Sequence, residues 1–82
     1  MYDIFFSDKA VKQLEKLSKD VQMRMRACLE RCRIRPYVHI KRLVGIPYFS
    51  LRVGDYRVII DVQDQQLRIL VIEIGHRKNV YK

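Results

Sequence analysis

Alternating apolar and polar residues in the second half of the chain predict a β-hairpin. Gly54-Asp55 supplies a two-residue turn, and the second strand begins at Tyr56. In the register that this turn imposes, Arg52 faces Arg57, and such a pair of like charges costs roughly 0.2–1 kcal/mol relative to a neutral pair. An anion bound on that face is a natural reason for the two arginines to be there. The apolar positions of the first strand are Phe49, Leu51 and Val53.

The rest of the apolar pattern predicts a strand and two helices before the hairpin and one more strand after it. Ser7 precedes apolar residues at helical spacing and can cap the helix that follows, and a second helix is expected to begin around residues 18–20. Pro36 is expected to stop the second helix. The predicted elements are a strand at 2–6, helices from about 8 to 17 and from about 19 to 35, and strands at about 48–53, 56–62 and 67–74.

The last strand, 67–74, is apolar on both faces in its middle, so it is expected to lie inside the sheet with the opening strand as its second neighbour. A tight turn near Asp64-Gln65 would place Asp61 opposite Arg68 as a compatible charged pair. Residues 36–47 contain proline and glycine and are expected to form an irregular connection. The expected fold is an α+β domain, with an N-terminal strand and a helical hairpin packed on a small, mainly antiparallel four-stranded sheet.

Length and charge limit the kind of site that such a domain can hold. A single domain of 82 residues has a core too small for a closed cofactor chamber, so an open active site without a cofactor is expected. Seventeen Lys and Arg against nine Asp and Glu give a net charge of +8. Most of the surplus is arginine, whose forked guanidinium suits phosphates, so a polyanionic partner is expected. A basic surface that serves only solubility and an acidic protein partner are the alternatives.

Two further features bear on the cellular setting. No apolar stretch approaches the roughly 18 residues of a membrane span, and the N-terminus lacks a basic-then-apolar signal pattern, so a cytoplasmic protein without membrane contact is expected. Cys28 and Cys32 lie on the apolar stripe of the second helix, where burial as small hydrophobic residues explains them. Two thiols without a second pair of ligands do not make a zinc site, and no metal is expected.

Three stretches of the chain resemble the RelE/ParE superfamily of toxins from toxin–antitoxin pairs. They are the hairpin Leu51-Arg52-Val53-Gly54-Asp55-Tyr56-Arg57-Val58-Ile59, the ending Ile74-Gly75-His76-Arg77-Lys78-Asn79-Val80-Tyr81, and the entry to the sheet at Lys41-Arg42-Leu43 with Gly45 and Pro47. The resemblance covers nearly the whole chain and implies a compact RelE-like domain, similar to microbial ribonucleases. In that family the RelE branch cuts messenger RNA in the ribosomal A site, and the ParE branch poisons DNA gyrase.

The resemblance to the RelE branch implies a metal-independent endoribonuclease. RelE-type enzymes use an arginine after the hairpin turn, a second arginine after the last strand, and a tyrosine near the end of the chain. Those positions are held here by Arg57, Arg77 and Tyr81. RelE also carries lysines on the strand before the turn, where this chain has Tyr48 and Ser50. The candidates for the missing positive charge are Arg52, Lys41 and Lys78.

The expected reaction uses the nucleophile that RNA itself carries. The ribose 2′-OH attacks the adjacent phosphate and leaves a 2′,3′-cyclic phosphate and a 5′-OH, so the protein must orient the attack, move protons and stabilise charge. Arg57 and Arg77 suit charge stabilisation, while Tyr81 suits proton transfer or stacking on a base. His76 suits acid–base work, and His39 receives no role. The residues expected to act in catalysis are Arg57, Arg77, Tyr81, Arg52 and His76, and those expected to bind RNA are Lys41, Arg42, Tyr48, Lys78, Arg24, Arg31 and Arg35.

The resemblance also implies partners. A cognate RelB-like antitoxin is expected to wrap the domain in a heteromeric complex and to cover apolar sheet residues such as Ile59, Leu70 and Ile72. The ribosome and its mRNA are the other expected partners, with arginines of the second helix on ribosomal RNA. The favoured function is a ribosome-dependent mRNA endoribonuclease, or mRNA interferase, that inhibits translation. A ParE-like gyrase inhibitor and a translation inhibitor that binds RNA without cutting it are the alternatives.

Overall fold

The computed structural model of the chain describes residues 1–76 and confirms an α+β architecture. The strands are β1 (Asp3–Phe6), β2 (Lys41–Arg42), β3 (Phe49–Val53), β4 (Tyr56–Gln63) and β5 (Arg68–His76). The helices are α1 (Asp8–Glu15), α2 (Lys19–Cys32) and the single-turn α3 (Pro36–His39). These strands form one sheet in the order β1-β5-β4-β3-β2. β1 pairs parallel to β5, as predicted, and the other neighbours are antiparallel.

The first long helix begins after Ser7, the predicted cap, and the second begins after Ser18, within its predicted starting region. The side chain of Ser7 accepts a hydrogen bond from the backbone N–H of Ala10, and Ser18 caps α2 in the same way. α2 ends at Cys32, earlier than predicted, and Pro36 instead starts α3, because the fixed φ of proline suits the first helical position. At 14 residues, α2 is the longest helix of residues 1–76 and is too short to span a membrane.

The core lies between the helical hairpin and one face of the sheet, as the sequence predicts. The helices contribute Ala10, Leu14, Met25, Leu29 and Cys32, and the strands contribute Leu51, Val53, Val58, Ile60, Ile69, Val71 and Ile74. Burial, with the neighbouring Cys28, raises the pKa of the Cys32 thiol to about 11. A thiol in that state packs as a small hydrophobic group and is a poor nucleophile.

The β3–β4 hairpin has the predicted register. Val53 pairs with Tyr56, and Arg52 pairs with Arg57. Gly54 in the turn has a φ of 59°, a left-handed conformation that glycine adopts without strain. Because side chains alternate along a strand and Val53 is buried in the core, the two arginines lie on the opposite face of the sheet. This face, away from α1 and α2, is called the open face below.

Two predicted details of the sheet are wrong. Residues 36–47 are not simply irregular, because they contain α3 and β2, and β2 makes the sheet five-stranded. The β4–β5 connection is longer than a two-residue turn, since it contains a 3₁₀ turn at Asp64–Gln66. As a result Gln63, and not Asp61, pairs with Arg68.

Beyond the end of β1, Ser7 and Gln13 hydrogen-bond to backbone groups of β5. The backbone N–H of Ser7 donates to the carbonyl of Val71 at 2.9 Å, and its hydroxyl donates to the carbonyl of Ile72 at 2.7 Å. The N–H of Ile74 donates to Oε1 of Gln13 at 2.6 Å. These bonds satisfy backbone groups that a longer β1 would otherwise pair, so α1 is fixed to a central strand of the sheet.

Candidate functional site

A cavity of about 220 Å³ lies on the open face of the sheet. Its lining residues are His39 from α3, Lys41 from β2, Ser50 and Arg52 from β3, and Arg57 from β4. We call it the basic cavity, because its lining, as far as residues 1–76 describe it, holds three cationic side chains and no carboxylate. Such a concentration of one charge sign in a concave site attracts anions.

Backbone pairing explains why these side chains meet. Arg52 pairs with Arg57 across β3 and β4, and Lys41 pairs with Ser50 across β2 and β3. Residues directly opposite in antiparallel strands have Cβ atoms about 4.5–5.5 Å apart and point to the same face. Ser50 and Arg52 are two positions apart on one strand, so they share that face. Strand register alone therefore brings four positions of three strands together.

Arginines also flank the hairpin turn next to the basic cavity. The Nε of Arg52 donates to the carbonyl oxygen of Gly54 at 3.3 Å. Arg24 reaches the turn from α2, where its Nη1 lies 3.2 Å from the place that a Cβ on Gly54 would occupy. A guanidinium stays charged at physiological pH and can bind two phosphate oxygens at once. The positive surface thus extends from the basic cavity to the end of the hairpin.

Three predicted site residues are brought together in the basic cavity, and they are Arg52, Arg57 and Lys41. Lys41 lies across from Ser50, so a cation from the neighbouring strand faces the position where RelE-type enzymes carry a lysine. Arg77, Lys78 and Tyr81 lie outside the residues that the structure describes.

The structure does not bring His76 into the basic cavity. His76 pairs with Tyr56 at the end of β5, and the two rings meet edge to face with centroids 5.8 Å apart. Tyr56 packs against the core. Arg57 follows Tyr56 on β4 and points to the other face of the sheet. His76 therefore lies on the core side at one end of the sheet.

The other predicted RNA-binding residues are spread over the surface. Arg31 lies in the last turn of α2, where its Nη2 is 3.2 Å from the sulfur of Cys28. Arg35, just before α3, and Arg42, on β2, are exposed. Tyr48 is half-buried just before β3. In the part of the chain that the structure describes, none of these residues lines the basic cavity.

Sequence reasoning missed His39, although this residue lines the basic cavity. His39 reaches the lining because α3 ends at His39 and β2 begins at Lys41, two elements that the sequence analysis did not predict. The available signal was Pro36, since proline is favoured at the first position of a helix. That signal predicts the short helix but does not predict which face of the sheet His39 reaches.

The open face also has an apolar part, which is smaller than the sequence predicts. Ile59 is only 7% exposed, because it lies in a central strand with neighbours on both sides, so it is not available as exposed surface. Leu70 and Ile72 are half-buried. Phe5 pairs with Leu70 and is 47% exposed, with the guanidinium carbon of Arg68 5.9 Å from its ring centroid. The apolar part therefore lies at β1 and β5, beside the basic cavity at β2 to β4.

Two larger depressions, of about 390 and 340 Å³, lie between β1 and α2. Their linings mix Arg26 and Arg33 with Glu30 and Asp3, and Nη1 of Arg33 is 3.1 Å from Oε1 of Glu30. Since their charges are largely balanced, phosphate chemistry favours the smaller basic cavity. Within residues 1–76, no group of three or more His, Cys, Asp or Glu side chains is placed to hold a metal ion.

Comparison with known proteins finds relatives across the whole domain. Residues 4–81 match the model of the ParE toxin family of the type II toxin–antitoxin system parDE. A RelE-like toxin protein of Escherichia coli is 31% identical over 80 residues, covering 94% of this chain and 84% of the relative. The mRNA interferase toxin RelE of Escherichia coli K12 is 28% identical with the same coverage.

Among solved structures, a chain of the intact Escherichia coli RelBE toxin–antitoxin complex has a TM-score of 0.80 at 26% identity, covering 93% of this chain and 96% of that chain. A chain of the RelB–RelE complex of Methanococcus jannaschii has a TM-score of 0.75 at 27% identity, covering 94% of each chain.

Proposed function

The chain belongs to the ParE toxin family of type II toxin–antitoxin systems, and from that premise we propose that it inhibits translation by cutting messenger RNA on the ribosome. The observation that carries the proposal is the basic cavity, where Lys41, Arg52 and Arg57 converge from three strands with no carboxylate in the described lining. Similarity to a relative named as an mRNA interferase supports RNA as the target.

In this mechanism the paired arginines bind the scissile phosphate. The 2′-OH of the preceding ribose attacks phosphorus, and negative charge builds up on the phosphate oxygens. Arg52 and Arg57 are already opposed in the folded protein, so they stabilise that charge without reorganising during the reaction. Lys41 adds the positive charge that RelE-type enzymes place on the strand before the turn. Arg77 and Tyr81 keep the roles that the resemblance implies, as a second phosphate ligand and as a proton carrier or stacking group.

The ribosome is proposed to position the substrate. The basic cavity is small and lies on an exposed sheet face, so it offers few contacts that would orient a free RNA strand. Arg24, Arg31 and Arg35 are exposed cations at or beyond α2, and we assign them to phosphates of ribosomal RNA. Each phosphate contact displaces counterions, so ribosome binding should weaken steeply with salt. The free protein is accordingly a poor nuclease that acts in the cytoplasm, where ribosomes are.

The proposed inhibitor of the toxin is a RelB-like antitoxin. Related toxin chains have been solved in RelB–RelE complexes from Escherichia coli and Methanococcus jannaschii. An acidic segment of such a partner would neutralise Arg52 and Arg57, and an apolar segment would cover Phe5 beside Leu70. Such a partner would cover both the basic cavity and the apolar part of the open face.

The proposal is tested with programmed ribosomes, a message of known sequence and the purified protein. Wild-type protein should produce breaks in the A-site codon, mapped by primer extension. Arg57→Ala should lower single-turnover cleavage by about 10²–10³-fold, the usual effect of removing one charge-stabilising donor. Arg26→Ala removes the same charge outside the basic cavity and serves as the matched control. Intact message at saturating wild-type protein, or equal cleavage by Arg57→Ala, contradicts the proposal.

A charge exchange tests the role given to Lys41. Lys41→Ser should impair cleavage, and adding Ser50→Lys to it should restore activity, because the two positions are directly opposite on one face. If the exchange leaves activity as low as Lys41→Ser alone, the lysine acts through some property other than its charge in the basic cavity.

The match to a ParE family model favours a second candidate function, inhibition of DNA gyrase. This activity requires no cleavage of RNA and no converging phosphate ligands. The same preparation should therefore be added to a DNA supercoiling assay. Inhibited supercoiling together with intact message would select gyrase as the target.

A further inference from the structure

We propose that His39 is the general base of the cleavage reaction and takes the proton of the attacking 2′-OH. The inference rests on the proposed function and adds to it the group that activates the nucleophile. Its basis is the position of His39 in the lining of the basic cavity, together with Ser50, Lys41 and the paired arginines.

The residues that precede and follow His39 in the chain are held by contacts of their own. The hydroxyl of Tyr37, two residues earlier on α3, donates a hydrogen bond of 2.6 Å to Oδ2 of Asp64. The Tyr37 ring also meets that of Phe49 edge to face, with centroids 5.5 Å apart. On the other side, Lys41 is held by its pairing with Ser50 in the sheet. The backbone that carries the exposed His39 side chain is thus held at two points.

The chemistry of the described lining leaves His39 as the group suited to accept a proton. Charged lysine and arginine side chains have no lone pair to offer, and a serine hydroxyl is too weak a base. A neutral imidazole carries one unprotonated nitrogen and exchanges protons between about pH 5 and 8. The charged and titratable groups that face it in the basic cavity are Lys41, Arg52 and Arg57, and on α3 Tyr37 is its neighbour.

The step balances as an internal transesterification. The unprotonated ring nitrogen of His39 takes the 2′-OH proton while the 2′-oxygen forms its bond to phosphorus. The bond between phosphorus and the 5′-oxygen breaks, and the departing oxygen takes a proton from water. The imidazolium then returns its proton to the hydroxide that remains. The products are a 2′,3′-cyclic phosphate and a 5′-OH, with no net consumption of water.

Single-turnover cleavage on programmed ribosomes tests the assignment. His39→Gln keeps hydrogen-bonding capacity but loses the basic nitrogen, so cleavage should fall by about 10²–10⁴-fold. Ribosome binding should stay within about threefold of wild type, because the phosphate ligands are retained. The wild-type rate should rise with pH as the base loses its proton, and the variant should lack that rise. Val38→Gln, an exposed neighbour on α3, is the control and should cut like wild type.

Two further measurements guard against a structural explanation. His39→Gly should regain cleavage when imidazole is added, which a misfolded protein would not do. An unchanged thermal unfolding temperature for His39→Gln would show that the domain is intact. His76→Gln tests the competing histidine that the sequence analysis favoured.

The outcomes separate this inference from the proposed function. If wild-type protein cuts message and His39→Gln cuts equally with the same pH profile, His39 is not the base, while the function stands. Loss of the pH-dependent rise in His76→Gln but not in His39→Gln would likewise overturn the inference, as would failure of imidazole rescue. If wild-type protein leaves the message intact, the proposed function fails and the inference falls with it.

Discussion

Replacing Arg52 by glutamine should make the isolated domain more stable while it abolishes most of its proposed activity. Arg52 lies directly opposite Arg57, and no carboxylate belongs to the described lining of the basic cavity. The Nε of Arg52 makes a long hydrogen bond of 3.3 Å to the Gly54 carbonyl at an exposed position. Glutamine carries an N–H at the place of Nε and can still donate to that carbonyl, so the substitution mainly removes the charge.

The size of the gain follows from the geometry of the pair. With the two unit charges placed ~5.5 Å apart, the upper end of the range for Cβ atoms of directly opposed residues, Coulomb's law in water gives about 0.75 kcal/mol. Screening reduces this repulsion to about 0.4 kcal/mol in 0.1 M salt and to about 0.1 kcal/mol in 1 M salt. For a domain of this size, the unfolding temperature should therefore rise by about 2–3 °C in 0.1 M salt and by less than about 1 °C in 1 M salt.

Thermal unfolding of the purified proteins, followed by circular dichroism at both salt concentrations, measures the effect. Arg42→Gln is the matched control, because Arg42 is exposed on β2 and pairs with Phe49 rather than with another arginine. It removes the same net charge and should gain less than Arg52→Gln. Equal unfolding temperatures for the two variants in 0.1 M salt, or a gain that persists in 1 M salt, would refute the argument that cross-strand repulsion is the cause.

Other substitutions test the remaining parts of the fold. Asp64→Asn should lower the unfolding temperature at neutral pH, since the bond from Tyr37 holds the pKa of the Asp64 carboxyl below its usual value and raises the pKa of Tyr37 to about 12. The difference in unfolding temperature from wild type should shrink as pH falls below about 4, where the Asp64 carboxylate becomes protonated. It should also shrink as pH rises from about 10 towards 12, where the Tyr37 hydroxyl loses its proton. A difference independent of pH would contradict this. Gly54→Ala should cost about 1–2 kcal/mol in urea unfolding, because alanine is strained at a φ of 59°. Gly54→Asn should cost less, and equal costs would exclude backbone strain as the cause. Ser7→Ala should cost roughly 1–2 kcal/mol, and more than Ser18→Ala, because Ser7 both caps α1 and binds β5; the reverse order would contradict the role given to the β5 contact.

Features set by neighbouring residues could be predicted from the sequence. Gly54-Asp55 fixes a two-residue turn, and that turn alone determines that Arg52 faces Arg57. Ser7 could be identified as a cap because a short polar side chain before an apolar helical pattern has few other uses. The central place of β5 followed from its apolar residues on both faces.

Features that depend on distant pairing could not be predicted. β2 consists of Lys41 and Arg42, which carry no alternating pattern, and it exists because β3 offers backbone partners. The β4–β5 connection contains Leu67 with a φ of 52°, and a left-handed leucine has no signature in the sequence. The place of His39 in the basic cavity follows from β2 and α3 together, so a single sequence could not assign it.

The opposed arginines and the exposed aromatic ring on the open face have a common origin. Two helices in a domain this small cover one face of the sheet, so the other face is left to solvent or to a partner. On that face the opposed pair of Arg52 and Arg57 and the exposed ring of Phe5 both cost stability in the isolated chain. A partner with acidic and apolar residues relieves both costs at once and, by binding only the folded state, stabilises it further by mass action. Because the first cost is screened by salt and the second is not, the stabilisation of the toxin by its antitoxin should decline only in part as salt is raised.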